Sequence, residues 1–157
     1  MNDGARAKLD AALAECDLHA QVLTEAAKKL PPRFDPNGSP GLQTETRAYL
    51  DQTAYRFMKL QDSLGEKVMP GLLSATLDPL PPDDATFAEK LQRLERLGAL
   101  PSVTAWRLLR EVRNSLAHEY PDHSALQAQA LNRLMAGVQD LLSIWLSVRT
   151  FAETRLG

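Results

Sequence analysis

Residues Ser102-Val103-Thr104-Ala105-Trp106-Arg107-Leu108-Leu109-Arg110-Glu111-Val112-Arg113-Asn114-Ser115-Leu116-Ala117-His118-Glu119-Tyr120-Pro121 read as one helix with a start, a face and a stop. Ser102 can accept a hydrogen bond from a free amide of the first turn, and Val103, Trp106, Leu109 and Val112 or Arg113 recur along one side at helical spacing. Pro121 cannot continue an ordinary helix and disfavours helical geometry in the residue before it, so the stop is expected around His118 to Tyr120. The far end of this helix therefore gathers a fixed cation, an amide, an imidazole and a phenol within about two turns. Those are the parts of a phosphate-handling site.

The same reading extends outward in both directions. Leu9, Leu13, Cys16, Ala20, Leu23, Ala27 and Leu30 form an apolar stripe that ends at Pro31-Pro32. A loop from Pro31 to Gly41 follows, and Gln43 to about Val68 reads as a second helix closed by Pro70-Gly71. A short apolar piece, Leu72 to Leu77, leads into a proline-rich connection. The next helix is expected from about Ala85 to Leu97, with Asp83 or Asp84 as its cap and Gly98 as its stop. After Pro121, Asp122 or His123-Ser124 starts the longest helix, whose stripe runs Leu126, Ala130, Leu134, Val138, Leu141, Trp145, Val148, Ala152. No strand pattern or repeat competes. The expected fold is all-α, an antiparallel bundle of four to five helices in a single domain spanning residues 1–157.

Composition narrows the function classes. The chain has 157 residues, 44% of them hydrophobic and only 6% aromatic, which suits one soluble helical core. Its single cysteine, Cys16, can form no internal disulfide, and the first residues lack the layout of a signal peptide, so a cytoplasmic location is expected. No apolar run approaches the length of a membrane span. A net charge of -2 argues against binding nucleic acid by bulk charge. A local basic stretch nevertheless runs from Lys90 to Arg113, where Lys90, Arg93, Arg96, Arg107, Arg110 and Arg113 face only Glu95 and Glu111. It reads equally as a solvated helix face. No metal-ligand spacing, glycine-rich phosphate loop or serine-centred elbow occurs, so no cofactor is expected.

Helical geometry constrains the motif. Asn114 and His118 are four residues apart and share a face if the helix persists, whereas Arg113 and His118 are five apart and diverge by about 140°. Bringing them onto one phosphate requires a break in the helix at His118 or a second copy of the motif from another chain.

The R-x4-H-x-Y string, with Asn after Arg and Pro after Tyr, resembles the signature of HEPN domains (higher eukaryotes and prokaryotes nucleotide-binding). The likeness is to the HepT-like toxins of HEPN/minimal-nucleotidyltransferase toxin–antitoxin systems in particular. Asp51 to Asp62 looks like a second-helix segment of some of these toxins. The resemblance implies a four- to five-helix domain, a homodimer, and a metal-independent ribonuclease acting on RNA. It makes Arg113 and His118 catalytic, Asn114 a supporting residue, and Tyr120 the phenol that a nucleotidyltransferase antitoxin adenylylates.

The residue chemistry fits that task. Cleaving RNA without a metal needs the 2′-hydroxyl deprotonated, the 5′-oxygen protonated and the phosphate charge stabilised. An imidazole exchanges protons near neutral pH, and a guanidinium offers a fork to two phosphate oxygens. Two chains would supply two histidines, one as base and one as acid. A structural reading stands beside this one: Arg113 pairs with Glu111 or with a carboxylate of another helix, His118 caps the last carbonyls, and Tyr120 buries its ring. Asp51, Tyr55, Arg56 and Asp62 support the site or form salt-bridged surface. His19, His123, Trp106 and Trp145 read as structural, and Cys16 lacks a catalytic pattern.

Overall fold

The structure, a computed structural model, describes residues 2–35, 44–76, 85–116 and 124–157, with side chains described for all of these except 124–127. Among the described residues there are helices and no strands: α1 (Asp3–Ala27), α2 (Thr44–Ser63), a π-helical turn (Leu64–Val68), α3 (Met69–Thr76), α4 (Phe87–Leu97), α5 (Val103–Ser115) and α6 (Ser124–Leu156). Because α2, the π-turn and α3 follow one another without a gap, the described residues build five helical rods.

Local chemistry sets most of the boundaries. The Asn2 side chain accepts the amide of Ala5 at 2.7 Å, and the Ser102 hydroxyl accepts that of Ala105 at 3.1 Å, as expected for α5. Glu95 reaches across to accept the amide of Val103 at 2.6 Å, satisfying a second free donor of the same turn. The cap of α4 is Thr86, whose hydroxyl accepts the amide of Glu89 at 3.1 Å. The expected caps Asp83 and Asp84 lie outside the described residues. Thr86 and Glu89 have the spacing of a capping box. Gly98 ends α4 with φ +87°, the left-handed geometry that favours glycine.

The second rod departs from expectation. Pro70-Gly71 does not close it: the helix continues through Thr76 and takes in residues 72–76 of the stretch Leu72 to Leu77 read as a short separate piece, Leu77 lying outside the described residues. An interior proline lacks an amide and crowds the carbonyl four residues back, here that of Glu66. The π-helical turn Leu64–Val68 loosens the winding at that point. It is this relaxation that carries the rod past Pro70.

Paired contacts show how the rods run. Leu9 abuts Gly71, Glu15 binds Lys67 at 2.9 Å and His19 meets Arg56 at 2.9 Å, so α1 is antiparallel to the second rod. Arg6 donates to the Leu156 carbonyl and Arg149 to Asp17, which makes α1 antiparallel to α6 as well. Ser147 donates to the Ala99 carbonyl while Leu109 abuts Gly137, so α5 also opposes α6. A Cβ at Gly137 would lie 3.3 Å from Leu109 and 3.4 Å from Phe57, so glycine there lets α6 approach both neighbours. The segment after α1 is tied down by Asn132, which accepts the Phe34 amide and donates to its carbonyl.

All five rods feed one apolar cluster. Leu23, Phe57, Leu60, Leu94, Leu134 and Leu141 are fully buried in it, each worth about 1.5–3 kcal/mol of burial. Trp106 and Trp145 are core residues, as their spacing predicted. Cys16 is fully buried, and burial, with Glu15 and Asp17 nearby, pushes its thiol up to about 12. Of the α6 stripe, Leu134 through Ala152 is buried as expected, Ala130 is half-buried and Leu126 lies outside the described side chains. Among the described residues no helix is long and apolar enough to cross a membrane.

Candidate functional site

Helix α5 carries the motif arginine to its last turn and then stops. Its regular part ends at Ser115 with Leu116 as cap, three to five residues before the expected stop. The angular argument for an unbroken helix therefore ends at Leu116. His118 and Tyr120 lie outside the described residues, as do Pro121 and His123.

Arg113 is held by a carboxylate from the second rod. Its Nε donates to Asp62 Oδ1 at 3.2 Å and its Nη2 to Oδ2 at 3.1 Å, a two-point pair. Arg110, one turn earlier on the same face, donates from Nη1 to Oδ1 at 3.1 Å. Burial alone would raise the Asp62 carboxyl; the Arg113 and Arg110 guanidiniums overcome it and hold the carboxyl below its usual range. Hydrogen bonding to Asp62 reciprocally raises Arg113, so both partners stay ionised at neutral pH. The Asp62 and Arg113 side chains are 26% and 28% exposed, within reach of a ligand. A guanidinium has five N–H donors, and this pair engages two of them. Among the described residues the other donors of Arg113 make no hydrogen bond.

The other second-helix candidates go elsewhere. Arg56 turns to α1, where its Nη1 donates to His19 Nδ1 at 2.9 Å. The buried His19 ring places Nε2 3.5 Å from Glu15 Oε1, and desolvation, helped by the charge of Arg56, lowers its pKa despite Glu15. Accepting from Arg56 requires an unprotonated Nδ1, so the neutral ring with its proton on Nε2 is the bound form. Tyr55 is 48% exposed, with the Arg56 and Lys59 cations 5.5 Å and 5.6 Å from its ring centre. Asp51 is exposed and lies eleven residues from Asp62, about 16 Å along the rod. Asn114 is exposed, rotated about 100° from Arg113, and is not drawn into the Asp62 cluster. Thus the structure joins Asp62 to Arg113 and separates Asp51, Tyr55 and Arg56 from them.

Two residues at this site carried no special weight in the sequence. Arg110 stood only as a member of the basic stretch, yet its i, i+3 relation to Arg113 was a sign that two cations would share one anion. Gln61, beside Asp62, is fully buried, and among the described residues neither its amide nitrogen nor its oxygen has a hydrogen-bond partner. Nothing in the local sequence marks it. Comparison of the chain with protein-family models, curated proteins and solved structures finds no match.

Proposed function

We propose that this chain is a HEPN-type, metal-independent endoribonuclease toxin of a bacterial toxin–antitoxin system, acting in the cytoplasm as a homodimer. In this reading Arg113 and His118 are catalytic and Asn114 supports them. A cognate minimal nucleotidyltransferase antitoxin neutralises the toxin and adenylylates Tyr120. The observation that supports it is the clamp on Arg113: Asp62 fixes the guanidinium through two bonds and leaves donors for a phosphate. A pre-oriented cation stabilises developing charge without reorganising at the moment of reaction. Two copies of the motif would bring two imidazoles to the scissile phosphate. One takes the 2′-hydroxyl proton, the other protonates the 5′-oxygen, and a 2′,3′-cyclic phosphate remains. Adenylylation of Tyr120 would add bulk and negative charge beside the site and repel RNA.

The same clamp also supports a second reading, a non-catalytic substrate-binding or adaptor subunit of a nucleotidyltransferase, since an arginine already paired with Asp62 serves structure equally well. Cleavage assays separate the two. His118→Ala and Arg113→Ala are each expected to abolish RNA cleavage and growth inhibition while the helical circular dichroism is kept. Retained cleavage by a folded His118→Ala protein overturns the ribonuclease reading. Intact mass after co-expression with the neighbouring gene should rise by about 329 Da per adenylyl group, and a Tyr120→Phe variant should lose that increment.

A further inference from the structure

Helix α5 carries two apolar stripes, and the core uses one of them. Trp106 and Leu109 turn inward, whereas Ala105, Leu108, Val112 and Ser115 recur at i, i+3, i+7 and i+10 along another side. With Ala136 and Gly137 of α6 this second stripe lines a groove of about 470 Å³. Leu108 is 58% exposed, the highest value for a large apolar side chain among the described residues. One exposed leucine is ordinary in a folded protein. Set on an apolar stripe beside a groove, it marks a contact surface.

The charges on the two banks select the occupant. Glu111 on the α5 bank, and Arg133 and Asp140 on the α6 bank, are exposed and form no ion pair among the described residues. At the groove of about 570 Å³ between α1 and the second rod the opposite holds, since Glu15 and Lys67 bind each other at 2.9 Å. A nucleic-acid backbone or an acidic peptide on the α5–α6 groove would gain from Arg133 and be repelled by Glu111 and Asp140. A protein face carrying both signs suits it better. A second copy of this chain supplies one by symmetry: in a two-fold pair each Glu111 meets the partner's Arg133, so the contact forms twice.

We infer that the α5–α6 groove is the face through which two copies of this chain associate, with Leu108 of each buried against its partner and Glu111 held by the partner's Arg133. The contacts Ala99–Ser147 and Leu109–Gly137 fix the antiparallel register of the two helices. That register sets Arg133 level with Arg113, two residues or about 3 Å beyond Glu111. A Glu111–Arg133 contact across the two-fold axis therefore brings the last turns of both α5 helices, each with its Arg113, to the same level. The inference gives the homodimer of the reading above its surface. It rests on that reading for the catalytic use of two motif turns, while the groove and its charges stand without it.

Sedimentation velocity of the full chain tests it. The parent should sediment at micromolar concentration with twice the 17.4 kDa mass of one chain. Leu108→Lys, Glu111→Arg and Arg133→Glu all change exposed positions and leave the core alone. Each should raise the dimer dissociation constant by about tenfold or more, because one substitution acts at both ends of a two-fold contact. Glu111→Arg chains mixed one to one with Arg133→Glu chains should associate again, since every arginine then faces a glutamate of the other chain. A monomeric parent overturns the inference. So does unchanged affinity in any of the three variants, or a mixture that stays monomeric. RNA cleavage on the same samples keeps the two readings apart: a dimer that responds as expected yet cleaves nothing supports this face and removes the ribonuclease, whereas cleavage by a dimer indifferent to all three substitutions keeps the ribonuclease and overturns this face.

Discussion

The second rod carries a charged cluster on each of two sides, and the two behave in opposite ways. Toward α1, Arg56 meets the buried His19 ring, and burial favours the neutral imidazole. Toward α5, Asp62 meets Arg110 and Arg113 near the surface, and the Asp62–Arg113 pair stays charged. Between them the rod buries Phe57 and Leu60 completely. Where water is excluded, the side chains settle on an arrangement that costs least charge, and a group so placed braces two helices. Where water still reaches, a carboxylate can gather two guanidiniums and leave them able to bind a further anion. The Arg113 side has the features of a binding site, and the His19 side those of a brace.

Removing the apolar layer that separates the clusters has the largest expected effect. Phe57→Ala should cost about 3–5 kcal/mol, read as a drop in the urea midpoint, because it opens a cavity against α6 where Gly137 allows close approach. Both clusters should lose their ordered signals together, and survival of either one would show that they do not share this support.

Asp62→Ala is expected to cost less, about 1–3 kcal/mol, since it leaves two guanidiniums facing each other without an anion. The loss should shrink as salt rises and screens the repulsion. The comparison fails if Asp62→Ala is as stable as the parent at low salt.

The smallest effect concerns pH. A histidine whose folded pKa lies below its ordinary value near 6.5 binds fewer protons folded than unfolded in the interval between the two. Its contribution is therefore complete above about pH 6.5 and is lost as the pH falls toward the lowered value. Protonation also takes the lone pair that accepts from Arg56. Glu15 and Asp62 are shifted downward, so their losses begin as the pH falls into the ordinary carboxylate range, well below pH 5.5, and are complete only below their lowered values. Urea midpoints at pH 7.5 and 5.5 should thus differ more in the parent than in His19→Gln. An equal difference in both proteins would remove His19 as the source.

Much of the fold was legible because helices announce themselves locally. The Ser102 cap, the Gly98 stop and the stripes of α1, α5 and α6 follow from hydrogen-bonding groups and spacings within a few residues of one another. Pro70 was misleading for a non-local reason: proline usually ends a helix, but apolar Leu72 and Leu73 bury themselves when the rod continues, and a π-turn makes continuation possible. The partner of Arg113 was open in the same way. The sequence allowed a carboxylate of another helix, and only the packing of the second rod against α5 selects Asp62 over Asp51, eleven residues away.

By itself, then, the sequence determined the helices, their apolar faces and the run of residues from Arg113 to Tyr120 that makes a phosphate-handling site the leading hypothesis. Tertiary structure decided which groups stand together: Asp62 under two arginines, Arg56 against a buried imidazole, and Gln61 along one groove with Phe87 and Trp106. The reason is range. Caps and stripes depend on neighbours within a turn or two, whereas the partner of a charge or an amide is set by how whole rods pack, and that depends on every residue in the core at once.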